Sequence, residues 1–413
     1  MNLFKTRRQK LMEGLDDNSH VILFSGNEIM RSEDEAYPFD VNRNFYYYTG
    51  IKAQGMILLI SKRNNHISST MFILPYDEVL AKWVGGRMKE EEVTEISGVN
   101  DVRNIEGFYD YLASLYNLER SFNGLNIYLD LWRYTAKQYA SDAFELADYL
   151  KNKYPNVNIH DIYKMIADMR MIKDEEEIDH IKKAIKITKT GIESMMKNIR
   201  PNMNEMVVEG IFDFTLMQRG CNKTAFPTIA AGGKNATVLH YSENNTILND
   251  GDLFLCDLGA THDLYCADIS RTFPVNGKFT DRQKEIYNIV LAAQELVEKN
   301  AKPGVSIREL NAAVINFYKE ELPKHNLLKD VSEYYFHGIG HQLGLDTHDV
   351  SDASKETVLE KGMVITNEPG LYIEDEAIGI RIEDDLLITE DGCENLSKNI
   401  IKKADDIEAF MKR

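Results

Sequence analysis

The 413 residues contain only four cysteines, Cys221, Cys256, Cys266 and Cys393, and no two of them form a C-x-x-C pair. That excludes a disulfide scaffold and a thiolate zinc ribbon, and it is the cysteine usage of a reduced, cytoplasmic protein. Long apolar runs are also missing. The longest, such as GMILLI at 55–60, fall far short of the roughly 20 residues that span a bilayer. The opening MNLFKTRRQKLMEGL has charge but no continuous apolar segment, so it does not read as a secretory signal. Basic charge is in deficit: 48 Lys and Arg against 66 Asp and Glu give −18. A chain with no basic footprint is poorly suited to nucleic acid or to an anionic membrane, and neither is expected as a partner. What remains is an ordinary globular composition, 43% hydrophobic and 28% charged, over a length that favours two domains.

The first part reads as α/β. VILF (21–24), GMILLIS (55–61), TMFILP (70–75) and NIYLDL (126–131) look like short strands, and 136–154 like a helix. No catalytic cluster is visible before residue 170. The pattern then changes. Asp174 with Glu177 forms a capping box, and Ile178, Ile181, Ile185, Thr188, Ile192, Met195 and Ile199 repeat at helical spacing. The boundary falls between about 155 and 174, giving an α/β domain at 1–165 and a second domain at 174–413. Thr280 with Gln283 and Ser306 with Glu309 open two further helices, separated by Pro303-Gly304. Helices followed by strands occur twice, which predicts an α+β second domain built from two similar halves.

Two hairpins carry carboxylates. In DLFLCDLGATHDLYCADISRTF (252–273) a two-residue turn at His262 and Asp263 makes paired residues sum to 525, placing Asp257 opposite Asp268. In the second, 363–389, a turn at Asp375 and Glu376 gives a sum of 751, placing Glu368 opposite Glu383. Like charges face to face repel unless a cation lies between them. Singly, any of these acids reads most simply as a solvated surface group, and His262 as an exposed turn residue. Cys256 and Cys266 alternate to the opposite face and read as core. Between the hairpins lies HGIGHQLGLDTHD (337–349), with three of the ten histidines. His337 and His341 have the spacing of a zinc helix, but the accompanying Glu is absent and the glycines disfavour a helix by about 1 kcal/mol each. In an extended chain they lie roughly 13 Å apart, too far for one ion, so they should do different jobs. Two Asp, two Glu and one His form an oxygen-rich set that suits two divalent ions such as Mn²⁺, Co²⁺ or Zn²⁺.

RRQKLME, EAYPFDVNRNFYYYTG, AKWVGGRM, LHYSENN, GDLFLCDLGATHDLYCADISRTFPVNGKFT, HGIGHQLGLDTHD, NEPGLYI and IGIRIEDD stand in one order along nearly the whole chain. In these blocks the sequence resembles the Xaa-Pro aminopeptidases (aminopeptidase P) among the pita-bread metallopeptidases. The resemblance implies an aminopeptidase P type of N-terminal domain and a pita-bread catalytic domain with two pseudo-symmetric halves. It implies that Asp257 binds one ion through both oxygens, that Asp268 and Glu383 bridge two ions, and that His341 and Glu368 complete the second. His337, His240 and His348 would then face substrate and take part in catalysis, Arg381 would support the ligands, Glu368 would accept a proton, and Tyr372 would lie close by. The implied reaction is hydrolysis of an N-terminal Xaa-Pro bond, in peptides with proline second, by a hydroxide bridging two divalent ions, with Mn²⁺ favoured. A prolidase limited to dipeptides shares these features. A catalytically silent binding protein would lack ligands that are all present here, and a creatinase-like hydrolase does not use paired ions. Trp83 matches a position that reaches a neighbouring subunit in some relatives, so a homo-oligomer, dimer or tetramer, is expected.

Overall fold

The apolar runs of the first half become strands of one sheet. The computed structural model describes residues 2–119, 125–135, 141–351 and 356–412. Its contacts divide the chain into two units, Met1–Ile166 and Ala167–Arg413. In the first, β1 (Ser19–Phe24), β2 (Ile57–Arg63), β3 (His66–Ile73), β4 (Asp101–Asn104), β5 (Leu125–Leu129) and β6 (Val157–Asp161) lie in the order β4-β3-β2-β1-β5-β6. β2 and β3 are joined at Asn64-Asn65, both with positive φ, the backbone that suits a two-residue hairpin. The two edge strands, β4 and β6, have no apolar run to announce them. Half or more of each faces solvent, and pairing with a parallel neighbour is what makes them strands. Of the helix expected at 136–154, Asp142–Lys153 is present, and 136–140 lie outside the described residues. Its Leu146 and Leu150 pack on Ile22, Leu59, Phe72 and Ile127 of the sheet.

The second unit opens with the long helix Glu175–Asn198. Asp174 Oδ1 accepts from Glu177 N at 3.0 Å, and Glu177 Oε2 accepts in return from Asp174 N at 3.1 Å. Ile181, Ile185, Thr188, Ile192 and Met195 are its buried stripe. The capping boxes at Thr280–Gln283 and Ser306–Glu309 also form, starting helices Asp281–Asn300 and Ile307–Glu321. The long helix is paired with Glu205–Gln218, and each helix pair is followed by strands. After the first pair come β7 (Ile229–Gly232), β8 (Leu253–Leu258), β9 (Thr261–His262), β10 (Tyr265–Cys266) and β11 (Ile269–Pro274). After the second come β12 (Val364–Asn367), β13 (Gly370–Ile373), β14 (Ile378–Arg381), β15 (Asp384–Ile388) and β16 (Cys393–Asn395). Each set makes a three-stranded sheet, β11-β8-β7 or β12-β15-β16, plus a two-stranded ribbon, β9-β10 or β13-β14. The repeat expected from the order of elements is thus present in the topology.

The two hairpins break at the same place. In the first, pairing runs to Leu258↔Ile269, lapses, and resumes at Thr261↔Cys266. In the second it runs to Asn367↔Asp384, lapses, and resumes at Gly370↔Arg381. One hydrogen bond survives in each gap, Ala267 N to Ala260 O at 3.1 Å and Ile382 N to Pro369 O at 3.3 Å. Asp268 and Glu383 therefore occupy equivalent positions in the two halves. Their backbone N–H groups, released from the ladder, reach into the other half: Asp268 N donates to Asp385 Oδ2 at 3.3 Å, and Glu383 N to Ser270 O at 3.1 Å.

The seam behind Glu383 is held by a buried ionic network. Arg271 donates to Asp384 Oδ1 (2.6 Å), to Ser270 O and to the carbonyl of Glu383, while Asp384 Oδ2 accepts from Gln294, Asn395 and Lys402 at 2.7–2.8 Å. Burial opposes the Asp384 charge, but Arg271 and Lys402 win and hold its pKa down to about 2. The group thus contributes stability above its ordinary value of 3.8, and that stability is lost as pH falls towards about 2. Asp384→Asn should cost about 3–5 kcal/mol at pH 7, because the fully buried Arg271 loses its anion and half-buried Lys402 keeps as its anion only Glu298 at 3.5 Å. Urea unfolding of both proteins at pH 7 and in acid checks this. The gap between them should narrow in acid, and equal midpoints at pH 7 would show the network to be dispensable.

Candidate metal centre

The breaks in the two ladders and the glycine-rich histidine loop converge on one place. Asp268, His341 and Glu383 each bring a ligand atom within 4.8 Å of the others. His341 Nε2 lies 3.5 Å from Asp268 Oδ2 and 3.6 Å from Glu368 Oε1. Its other nitrogen, Nδ1, bonds the carbonyl of Gln342 at 3.0 Å, which leaves Nε2 as the lone-pair side facing the carboxylates. Asp257 joins through Arg381, whose Nη2 donates to its Oδ2 at 2.6 Å.

The register of the second hairpin is the expected one: its pairs, Val364↔Leu387 to Ile373↔Ile378, sum to 751, which puts Glu368 across from Glu383. The first hairpin corrects the sequence reading. Its turn lies at Asp263-Leu264, both at positive φ, and its pairs sum to 527. Asp257 therefore faces Ser270, and Asp268 is its diagonal neighbour. A slip of two keeps parity, so both aspartates stay on one face. His262 is not in the turn but pairs with Tyr265, and its side chain is only 32% exposed.

The histidine loop runs without helix from 337 to 349. A Cβ on Gly340 would stand 2.1 Å from Thr366 O and one on Gly344 2.2 Å from Asp349 Oδ2, so glycine lets the loop lie against β12 and its own return. Gly338 has open space and meets no such demand. Asp349 is clamped by two cations, Arg170 Nη2 at 2.5 Å and Lys173 Nζ at 3.1 Å, which anchors the loop's far end.

Arg381 ties the carboxylate cluster to His337. Besides Asp257, its Nε donates to Ser270 Oγ (2.7 Å), which donates in turn to Glu383 Oε2 (2.7 Å). Its Nη1 donates to Tyr372 OH (2.9 Å). That leaves the Tyr372 proton for His337 Nε2, also at 2.9 Å, and fixes the His337 proton on Nδ1, which donates to Gly338 O at 2.8 Å. Tyr372 is thus behind His337, not on the cavity wall. Sequence reasoning passed over Ser270 and Thr366, whose hydroxyls bond Glu383 and Glu368; mid-strand hydroxyls carry no signature, and only their place opposite or beside a ligand gives them a role.

The electrostatics ask for cations. Asp268 and Glu383 are pushed well above the usual carboxylate range, first by burial and then by other carboxylates. Burial raises Glu368 to about 7. Burial also drives His337 and His341 down to about 4, so both are neutral, as a metal ligand must be. Asp257 Oδ1 is buried with no hydrogen-bond partner. Four carboxylates around one arginine, an orphaned oxygen and a neutral imidazole nitrogen fit divalent ions on an oxygen-rich set. The centre opens into a cavity of about 760 Å³ lined also by His240, His348, Phe226, Ile229, Leu239 and Tyr241. Tyr241 is held by the fully buried Glu205, which accepts its hydroxyl at 2.9 Å together with the N–H groups of Gly232 and Thr246.

The sequence profile described as metallopeptidase family M24 matches residues 179–390, and that of the aminopeptidase P N-terminal domain matches residues 4–123. The Xaa-Pro aminopeptidase of Escherichia coli is 35% identical over 99% of this chain and 97% of its own. A solved structure from Bacillus anthracis, provisionally named an aminopeptidase P, superposes with a TM-score of 0.95 at 44% identity, covering 99% of this chain and 98% of that one. Aminopeptidase P from E. coli, solved with the inhibitor Pro-Leu, gives 0.88 at 34% identity, covering 99% and 97%.

Proposed function

The chain belongs to metallopeptidase family M24, with the aminopeptidase P type of N-terminal domain, and from that premise we propose how its residues carry out the activity. It is a metal-dependent exopeptidase that hydrolyses the N-terminal Xaa-Pro bond. The observation that carries the residue assignments is the meeting of Asp268, His341 and Glu383, one from each hairpin and one from the loop between them. Asp257, Asp268, His341, Glu368 and Glu383 would hold two divalent ions, with Asp268 and Glu383, at equivalent positions in the two halves, contributing one carboxylate from each hairpin. Mn²⁺ is our choice, on the preponderance of oxygen donors. When bound, such a pair acidifies water to near neutrality and polarises the carbonyl under attack.

The chain's own groups do the rest. Glu368 takes a proton from the attacking water, with its Oε1 steadied by the Thr366 hydroxyl at 3.3 Å. The amide nitrogen of a prolyl bond has no proton, so it must gain one to leave as a secondary amine, and Glu368 is placed to return the one it took. His337 has a single donor, Nδ1–H, 3.8 Å from Glu368 Oε2, and a substrate oxygen that displaced Gly338 O would meet it. His240 and His348, on the cavity wall, position the peptide. Arg381 and Tyr372 act through others, fixing Asp257, Glu383 and the His337 tautomer. Phe226, Pro227, Ile229 and Leu239 give the cavity an apolar wall for a substrate that offers no N–H at its second residue.

A homo-oligomer, dimer or tetramer, fits Trp83, 83% exposed between the exposed Val79 and Val84 on helix Glu78–Val84. A cytoplasmic setting fits the four free cysteines. Pro-Leu, the inhibitor of the E. coli relative, has the form of the second product left when Xaa is cut from Xaa-Pro-Leu, which favours substrates longer than dipeptides. The Mn²⁺-loaded protein should therefore release Xaa from Xaa-Pro-Yaa-Zaa peptides. Cleavage confined to Xaa-Pro dipeptides in a comparative assay would make it a dipeptidase.

A further inference from the structure

A second cluster of metal-ligating side chains lies at the tip of the first hairpin. His180 comes from the long helix Glu175–Asn198, and His262 and Asp263 from the end of β9 and the turn that follows. The Nδ1 atoms of the two histidines are 2.8 Å apart. Asp263 Oδ2 is 3.5 Å from the first and 3.8 Å from the second. The point equidistant from the corners of such a triangle lies about 2.0 Å from each, the length of a zinc–imidazole or zinc–carboxylate bond. A shared proton would account for the contact between the nitrogens alone. A cation in the middle would satisfy both nitrogens and the carboxylate oxygen at once. The His180 ring is held in place by stacking on Tyr265, 5.4 Å away at 17°. Side-chain exposures of 16% for His180, 32% for His262 and 43% for Asp263 leave one side open for an ion to enter and keep water as a further ligand.

We propose that His180, His262 and Asp263 form a separate metal site that takes one borderline divalent ion, Zn²⁺ by its chemistry, and pins the catalytic hairpin to the long helix. The donor set is two imidazoles and one carboxylate, which suits Zn²⁺, Cu²⁺ or Ni²⁺ better than Mn²⁺. The catalytic centre, with four carboxylates, accepts harder ions but also suits Zn²⁺, so the two sites are told apart by the total metal each chain holds. The hairpin concerned carries Asp257 and Asp268. It already touches the helix through Ala260 N to Thr188 Oγ1 at 2.9 Å and Tyr265 OH to Glu177 Oε1 at 3.1 Å. An ion at the tip adds a third tie and limits how far the two aspartates can shift.

The Mn²⁺-loaded protein, incubated with Zn²⁺ and desalted, should hold one more divalent ion per chain than before, counted as Zn²⁺ plus Mn²⁺ by elemental analysis. His262→Ala and His180→Gln should hold the same number of ions before and after the incubation, which also reports that they are folded, and gain no additional one. Absorption spectroscopy at the zinc edge should show two imidazoles at about 2.0–2.1 Å together with oxygen ligands. Zinc that enters only in exchange for manganese, no additional ion at all, or the same additional ion in both variants would each overturn the site. Because the readout is metal stoichiometry and not peptide hydrolysis, failure here is distinct from failure of the catalytic assignment.

Discussion

Asp268→Asn should lose bound metal and Xaa-Pro hydrolysis together, with a fall in rate on the order of 10³-fold or more, the upper end of what one removed electrostatic stabiliser costs. Asp268 is buried beside Glu383 and His341, and a neutral amide cannot balance cations there as a carboxylate does. The same change should not weaken the metal-free fold. The folded-state pKa of Asp268 is raised, so its contribution to stability falls as pH rises from its ordinary value of 3.8 towards neutrality. Removing that charge relieves repulsion from Glu383 and Asp257. The metal-free variant should therefore melt at or above the metal-free wild type at pH 7, while binding fewer ions. Normal turnover with full metal stoichiometry would remove Asp268 from the centre. A metal-free variant that melts well below the wild type would point to a structural role instead.

The two histidines of the glycine-rich loop should separate cleanly. His341→Ala should lower occupancy of one metal site, because the Nε2 it removes is the nitrogen facing Asp268 and Glu368. His337→Ala should keep both ions and lose on the order of 10²–10⁴-fold in kcat, as expected for a proton-transfer or oxyanion donor. His337 bonds Tyr372 and Gly338 and approaches the ligands no nearer than its 3.8 Å separation from Glu368. Elemental analysis and steady-state kinetics on both variants check the pair. Metal lost from His337→Ala and kept by His341→Ala would reverse the assignments, and an unchanged kcat in His337→Ala would end its catalytic role.

Much of the centre was legible because charge made it so. Carboxylates facing one another across a hairpin are costly without a cation, and that argument located Asp257, Asp268, Glu368 and Glu383. The second hairpin's register followed from its turn at Asp375-Glu376, which the 3₁₀ turn Glu374–Glu376 and the left-handed Ala377 close. The first register was off by two because the turn places Leu264 at positive φ, a conformation rare for a branched apolar residue and one that its sequence does not advertise. Parity rescued the conclusion. The equivalence of Asp268 and Glu383 could not be read from the chain, since it rests on where two ladders lapse and not on repeated residues. The resemblance implied Arg381 as a support, but its partners could not be read, since Asp257 and Ser270 lie 124 and 111 residues away. Edge strands Asp101–Asn104 and Val157–Asp161 escaped because strand character there comes from a neighbour.

The most direct measurement is metal titration of activity. The protein would be stripped by a chelator, shown metal-free by elemental analysis, and given Mn²⁺ in steps while bound metal and release of Xaa from an Xaa-Pro-Yaa-Zaa peptide are followed together. The stripped protein should be inactive, and turnover should return as the two ions bind. Full turnover from protein proven metal-free would contradict a metal-dependent mechanism at this centre.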